Sequence, residues 1–387
     1  MLKKKYRICF ITGSRAEYGL LKNLIKLFKK DKSKETYLIV TGSHLSKKFG
    51  QTINEIKNDK IKISNKINIL GNNDSPLAIL EFTSLAIKKI SYQLKKIKPD
   101  LLIILGDRFE IFAAAISASF LKIPICHFHG GESTQGNIDE FIRHSITKMS
   151  SLHFVTNKIY KKRVIQLGEH PVNVFNVGSL GIDSIKNIEF LSKKKLEKEL
   201  SISFKKKIFL VTYHPVTLDN NSSKKNFQNI LNVLKNFNDT TIIFTFPNAD
   251  MDGQIIINLI KKFTINRNNA YFFKSLGQQK YFSLLRISTM VIGNSSSGII
   301  EAPYFNLPTI NIGDRQKGRV LPLSVISCNT NPKSILKAIK LGLSVKFKKL
   351  RNKNLNEKSE TALNSFKIID KSIKKIKIKK KFFDINF

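Results

Sequence analysis

Tryptophan is missing from this chain of 387 residues, methionine occurs four times and cysteine three times. Cys9, Cys126 and Cys328 are widely spaced and form no Cys-x-x-Cys pair. That excludes a disulfide framework or a zinc knuckle and suits a reducing cytoplasm. Acidic residues are scarce, with 28 Asp and Glu against 67 Lys and Arg, a formal +39. Long apolar runs are lacking too: stretches such as 101–106 and 208–212 stop after about half a dozen residues, far short of the roughly 20 that cross a bilayer. The opening MLKKKYRICFITGSR enters a strand too early, and is too polar after Gly13, to read as a secretory signal. A soluble cytoplasmic protein without a membrane partner is expected. What is plentiful is core material, 42% hydrophobic residues, enough for two or three domains, which excludes disorder throughout.

A strongly basic chain invites a nucleic-acid reading, because its surface attracts phosphate polyanions. The make-up of the charge argues against one. Ten of the 67 cations are Arg, while Lys is spread over almost every segment together with many Ile, Asn and Phe, the pattern of an AT-biased coding background. Nucleic acid is therefore not expected as a partner. Arg carries a sharper signal, since its planar fork holds carboxylate and phosphate bidentately where Lys offers a point charge. Arg15, Arg108, Arg143, Arg315 and Arg319 all fall beside clusters of Gly, acids or His.

The order of apolar runs and amphipathic stretches predicts an α/β chain. Strands are expected at 7–12, 37–41, 100–105, 123–128 and 152–155, with helices at 18–30, 75–97, 112–121 and 139–149 between them. The pattern restarts with strands at 208–212, 240–246, 270–273, 289–293 and 307–312, and helices at 226–236, 253–263, 278–287, 299–305 and 332–341. Continuous apolar strands separated by amphipathic helices imply parallel sheets covered on both faces, so two doubly wound, Rossmann-like domains are expected. The hinge is placed at 171–183, which has two glycines and little periodicity. A ligand is expected where the strand C-termini of the two sheets face each other across a cleft. The tail from Lys371 reads as a solvated charged end.

Four segments sit where strands end. Gly13-Ser-Arg-Ala-Glu-Tyr-Gly19 lacks both the GKS/GKT of a P-loop and the GxGxxG of a dinucleotide fold. Arg15 and the helix start behind it suit an anionic ligand, or form a plain turn with a solvated Arg. Gly106-Asp-Arg-Phe-Glu110 puts Asp107 and Arg108 one step past an apolar strand, where a carboxylate serves either chemistry or a helix cap. His127-Phe-His-Gly-Gly-Glu-Ser-Thr-Gln-Gly-Asn-Ile-Asp-Glu-Phe-Ile-Arg-His144 is the densest, holding three of the seven His. Its candidates are His129, Glu132, Asp139, Arg143 and His144, with Asp139 and Arg143 four apart on one helix face. A metal site from His127, His129 and Glu132 is the competing reading, but no second His or Cys cluster recurs, so no metal is expected. The fourth group lies in the second half: His214, then Asn248 in Pro247-Asn-Ala-Asp-Met-Asp-Gly253, then Gly293-Asn-Ser-Ser-Ser-Gly298 with Glu301, then Gly313-Asp-Arg-Gln-Lys-Gly-Arg319. Ser295, Ser296 and Gly298 before a helix offer N–H groups and hydroxyls to a diphosphate, Glu301 suits a ribose diol, and Arg315 follows the next strand. An N-cap Ser with a helix-starting Glu is the plain alternative.

In order from about residue 6 to 320, GSRAEYG, GDRFE, HGGE with GNIDEFIRHSITKMS, YHPVT, PNADMDG and GNSSSGIIEAP closely resemble the hydrolysing UDP-N-acetylglucosamine 2-epimerases of sialic-acid and related nonulosonate synthesis. The resemblance implies a GT-B arrangement: a first domain over 1–175 for the sugar chemistry, a second over 176–358 for UDP, and a segment 359–387 whose helix crosses back to the first. It implies that Asp107, Asp139 and an acid in the H-x-E-G-G segment serve the sugar. At that third position this chain has His129, with Glu132 three residues on, and either fills the role. It further implies His214, Arg15, Ser295, Ser296 and Glu301 on the nucleotide, no cofactor, and a homo-oligomer, dimer or tetramer. The implied reaction is anti elimination of UDP from UDP-N-acetylglucosamine to 2-acetamidoglucal, then hydration with inversion at C2 to free N-acetylmannosamine. The segment around His129 also resembles relatives acting on UDP- or GDP-N,N'-diacetylbacillosamine, on the route to legionaminic acid. A GT-B glycosyltransferase that uses a UDP-sugar is the alternative of another class.

Overall fold

The computed structural model describes residues 5–216, 222–247, 252–348, 358 and 360–385. The described strands form two wholly parallel sheets. The first contains β1 (Tyr6–Thr12), β2 (Lys34–Thr41), β3 (Asn65–Ile67), β4 (Leu101–Leu105), β5 (Ile125–Phe128), β6 (Leu152–Val155) and β7 (Val174–Asn176), in the order β3-β2-β1-β4-β5-β6-β7. The second contains β8 (Lys207–Thr212), β9 (Thr240–Thr245), β10 (Ala270–Phe273), β11 (Met290–Gly293), β12 (Thr309–Ile312) and β13 (Val325–Cys328), in the order β10-β9-β8-β11-β12-β13. Each order reverses once, between β1 and β4 and between β8 and β11. Crossovers on the two sides of that point leave to opposite faces, so the loops after those strands part and open a crevice at their carboxyl ends.

Period-two alternation explains why the strands read as continuous apolar runs. In β1, Ile8 and Phe10 join a core with Tyr18, Leu21, Leu24 and Phe28. Cys9 and Ile11 face the other way, into a second core with Ile90, Leu94, Ala113 and Ala114. All five residues of β4 are buried. A strand covered on both faces has no polar side to show, which is why LLIIL lacks alternation.

Most differences from the expected elements lie at helix starts and sheet edges. The helix Arg15–Lys30 begins three residues before the expected position. Ser14 Oγ accepts the Glu17 N–H at 3.4 Å, and the Glu17 carboxylate accepts the Gly13 N–H at 2.7 Å. This local cap satisfies donors that the apolar pattern does not report. The edge strands β3 and β7 have three residues each and β13 has four, none of them fully buried, too short for periodicity to register. The expected helix 299–305 is instead a single turn, Ser297–Ile300, followed by a 3-10 turn, Ala302–Phe305, with Pro303 at its start.

The chain divides into one compact unit of 1–132, 139–184 and 356–387, and another of 133–138 and 185–355. The division thus falls past 184 rather than at 175, and the expected hinge 171–183 holds β7 and the first residues of the helix Leu180–Lys186. Two contacts account for this. Ser184 Oγ donates to the Gly19 carbonyl at 3.3 Å. The buried Asp183 carboxylate accepts the N–H groups of Thr361 and Ala362, at 3.0 and 3.3 Å, at the start of the helix Thr361–Ser372. That helix packs on Arg15–Lys30, with the Phe366 ring 4.8 Å from Phe28.

The described part of the tail is mostly exposed, as expected, but two residues tether it. Lys380 Nζ donates to the Ser150 carbonyl at 2.7 Å and to both oxygens of Glu169, and the Phe383 N–H donates to the Gly168 carbonyl. Burial alone would raise the pKa of Glu169; hydrogen bonds from His153, Lys148 and Lys380 outweigh it and hold the carboxyl at about 2. Since Asp183 is a cap supplied from outside the helix it serves, Asp183→Ala is expected to cost about 1–2 kcal/mol. Urea unfolding measures this, and an unchanged unfolding free energy would show that the cap carries no weight.

Candidate functional site

In the first unit the loops after β1, β4 and β5 carry the side chains singled out above. Asp107 follows β4 by two residues, and its carboxylate side chain is 23% exposed. It does not serve as a helix cap: Arg108 occupies the N-cap of the helix Phe109–Phe120, which has no side-chain cap. Asp107 Oδ2 is instead engaged by Nη2 of Arg143, from the helix Asp139–Met149. The other arm of the guanidinium, Nη1, donates to the Glu132 carbonyl at 2.9 Å and to Glu140 Oε2 at 3.2 Å. Glu140 Oε1 lies 3.1 Å from His144 Nε2. Arg143 is 1% exposed. It is a buried support, tying the loops after β4 and β5 to the helix that begins at Asp139, which is half-buried.

His127, on β5, stands beneath the same loops. Its Nε2 lies 2.8 Å from the Gly106 carbonyl, and Nδ1 lies 3.3 Å from Thr147 Oγ1. Burial lowers its pKa to about 3 and keeps the ring neutral. A carbonyl can only accept, so in the neutral imidazole Nε2 carries the proton and donates to Gly106. His129 holds a backbone φ of +67°, sparsely populated for a residue with a side chain. Its Nδ1 lies 3.1 Å from Glu132 Oε1, outside good hydrogen-bond direction, and its buried Nε2 has no hydrogen-bond partner. His129 and Glu132, between which the sequence could not choose, are therefore neighbours, and both are buried.

Arg108 also pairs with carboxyl groups of its own unit. Its Nε donates to Glu110 Oε1 at 3.1 Å and lies 3.9 Å from Glu17 Oε1. Burial and then the charge of Glu110 push the Glu17 carboxyl up to about 8, against the lowering effects of Arg108, the Gly13 N–H and Ser14. Arg15 is the first residue of its helix, at the carboxyl end of β1. Among the described residues no group of three or more His, Cys, Asp or Glu is placed to hold a metal ion.

The second unit repeats the plan around β8 and β11. Asn294 is fully buried, and its side-chain amide clamps His214 from both sides: Oδ1 accepts the His214 N–H at 2.7 Å and Nδ2 donates to the His214 carbonyl at 2.8 Å. The Asn294 carbonyl in turn accepts from Arg315 Nη1 at 3.0 Å and Gln316 Nε2 at 2.8 Å. One Asn thus fixes the loops after β8, β11 and β12. Sequence reading passed over it, although an Asn directly after a strand-ending Gly is a signal for such a clamp. Ser295 and Ser296 precede a helix of four residues, too short for the expected dipole. Gly298 has a packing reason, because a Cβ there would come within 2.6 Å of Thr309 Cγ2. Glu301 sits between the short helix and the 3-10 turn. Asn248 lies outside the described residues.

The family model described as UDP-N-acetylglucosamine 2-epimerase matches residues 26–369. A GDP/UDP-N,N'-diacetylbacillosamine 2-epimerase (hydrolyzing) of Campylobacter jejuni is 45% identical over 328 residues, 84% of this chain and 85% of that protein. The polysialic acid biosynthesis protein P7 of Escherichia coli is 39% identical over 383 residues, 98% of this chain and 97% of its own. The S. aureus MnaA-UDP co-structure shares the fold, with a TM-score of 0.80 at 18% identity over 98% of this chain and 100% of that one.

Arg143→Met takes the cation from Asp107, Glu140 and the Glu132 carbonyl together. It is expected to cost about 3–5 kcal/mol, while Arg143→Lys, which keeps the charge and loses the fork, costs less. Denaturant unfolding of both variants checks the order, and a Met variant as stable as wild type would contradict the support role.

Proposed function

The chain belongs to the UDP-N-acetylglucosamine 2-epimerase family, and on that premise we propose that it is a hydrolysing 2-epimerase that turns UDP-N-acetylglucosamine and water into N-acetylmannosamine and UDP. The observation that carries the reading is Asp107, a partly open carboxylate at the strand-order reversal of its sheet, aimed by the buried Arg143. The C2–H of the sugar is a poor acid. Its removal has to accompany cleavage of the anomeric bond to UDP, with a carboxylate positioned to take the proton and cations set against the departing diphosphate. Elimination leaves 2-acetamidoglucal; water then adds at C1 and a proton at C2 from the opposite face.

Asp107 and Asp139, with Glu132 or His129, share the base and acid roles in this scheme. Arg15, His214, Ser295 and Ser296 take the diphosphate, and Glu301 the ribose. For the serines the support is hydroxyl and N–H chemistry in a short turn, not a helix dipole. The reading places the enzyme in the cytoplasm as a homo-oligomer. Three free thiols and the exposed apolar side chains of Leu77, Leu80 and Tyr92 on one helix support it.

A second substrate is favoured by a specific feature. His129 stands where the family's acidic residue is expected, and the 45%-identical relative is named for N,N'-diacetylbacillosamine on UDP or GDP. Side-by-side assays of the three nucleotide sugars, followed by NMR without any acceptor, decide among the substrates. Free 2-epimeric sugar plus nucleotide diphosphate is the expected product. No release without an acceptor would point to a glycosyltransferase, and a nucleotide-linked product to a non-hydrolysing epimerase.

In heavy water the product should carry solvent deuterium at C2; a product without it rejects elimination. Asp107→Asn and Asp139→Asn should each lower kcat by about 10²–10⁴-fold with nearly unchanged UDP affinity, as for groups acting on the chemical step. Near-normal turnover in either variant removes that residue from the scheme.

A further inference from the structure

Three loops of the first unit meet on two carboxyl groups that the proposed chemistry leaves unused. Glu17 and Glu110 are 4% and 0% exposed. Glu17 Oε2 accepts the Gly13 N–H from the loop after β1, and Arg108, from the loop after β4, lies against both carboxyls. Glu110 fills the space beside Gly13 and Gly42. A Cβ at Gly13 would overlap the Glu110 side chain, and one at Gly42, in the loop after β2 with φ of +57°, would come within 2.6 Å of Glu110 Oε1.

Hydrogen bonding disagrees with two ionised groups here. Two carboxylates share the Arg108 guanidinium in a dry setting, and Glu17 Oε1 and Glu110 Oε2 are both buried without a hydrogen-bond partner. Carboxyls grouped in this way cannot both ionise cheaply, and a single shared proton lowers their repulsion and supplies a donor. The groups acting on Glu17 are Glu110, Arg108, the Gly13 N–H and Ser14. The nearby His44, bonded to Thr12 and Thr52, is kept neutral by burial and adds no charge.

We propose that Glu17 and Glu110 hold one proton between them about Arg108, and that this pair acts as a positioning device, locking the loop that carries Arg15 to the loop that carries Asp107. The benefit to catalysis rests on the epimerase reading; the proton sharing does not. When the second carboxyl ionises, a negative charge is added beneath both loops, which weakens the lock.

Two measurements test the two halves separately. Thermal unfolding against pH needs no substrate. A carboxyl whose folded pKa is raised contributes stability that is fully present below its ordinary value of 4.5 and is lost as pH rises toward about 8. The wild-type midpoint should therefore fall over that window relative to Glu17→Gln, whose amide is permanently neutral and can still donate to Glu110. Glu110→Gln supplies the same comparison should the first variant not fold. Superimposable profiles for wild type and the Gln variant overturn the shared proton. For the positioning half, Glu17→Leu should lower kcat by about tenfold or more relative to Glu17→Gln, with little change in KM, and Glu17→Gln should move the alkaline limb of the kcat profile upward. Equal losses for Gln and Leu, or an unmoved limb, overturn the positioning role.

Discussion

Burying the guanidinium of Arg143 is the constraint on which the arrangement of the first unit's loops depends. A cation removed from water has to be matched by oxygens in fixed directions, and here they come from three places: the Asp107 carboxylate, the Glu132 carbonyl and Glu140. Because those groups sit on the loops after β4 and β5 and on the helix behind, satisfying one charge sets their geometry together. Asp107 is left partly open and held in a defined direction, as the base role proposed for it requires. The second unit reaches a comparable result without a buried charge. The amide of Asn294 extends the pairing of β8 and β11 past their ends and holds His214 by its backbone.

Both devices stand at strand-order reversals, and this follows from how parallel sheets are wound. Helices that cover both faces bury the strands completely, so polar side chains are pushed to the strand ends. Loops that part in opposite directions give those ends room. Sequence alone revealed this much, because Leu101–Leu105 and Met290–Gly293 are apolar runs cut off by polar residues and glycine. The alternation of strand and helix likewise identified two doubly wound units, which the sheet orders bear out.

What stayed hidden has physical reasons. Periodicity records burial, so it cannot see a cap: Ser14 and Glu17 start their helix three residues early through hydrogen bonds alone. It cannot see pairing over long separations either. Asp183 anchors a helix almost two hundred residues later, and Lys380, read as part of a solvated tail, ends on a buried Glu169. Arg108 and Arg143 stood out as Arg in a Lys-rich chain, but a sequence does not say whether a guanidinium faces a ligand or a carboxylate of its own fold, and both pair with carboxylates of their own unit. Position 129 shows the opposite case, where a departure from the family pattern was visible as His, and the geometry adds that Glu132 lies beside it.

A structure of the protein crystallised with UDP and 2-acetamidoglucal would test the central claim most directly. The account predicts the sugar C2 opposite the open side of Asp107 or Asp139, within about 3–3.5 Å of a carboxylate oxygen, as a near-attack arrangement requires. A glucal bound with its C2 turned from both carboxylates, or bound away from the loops after β4 and β5, would contradict it.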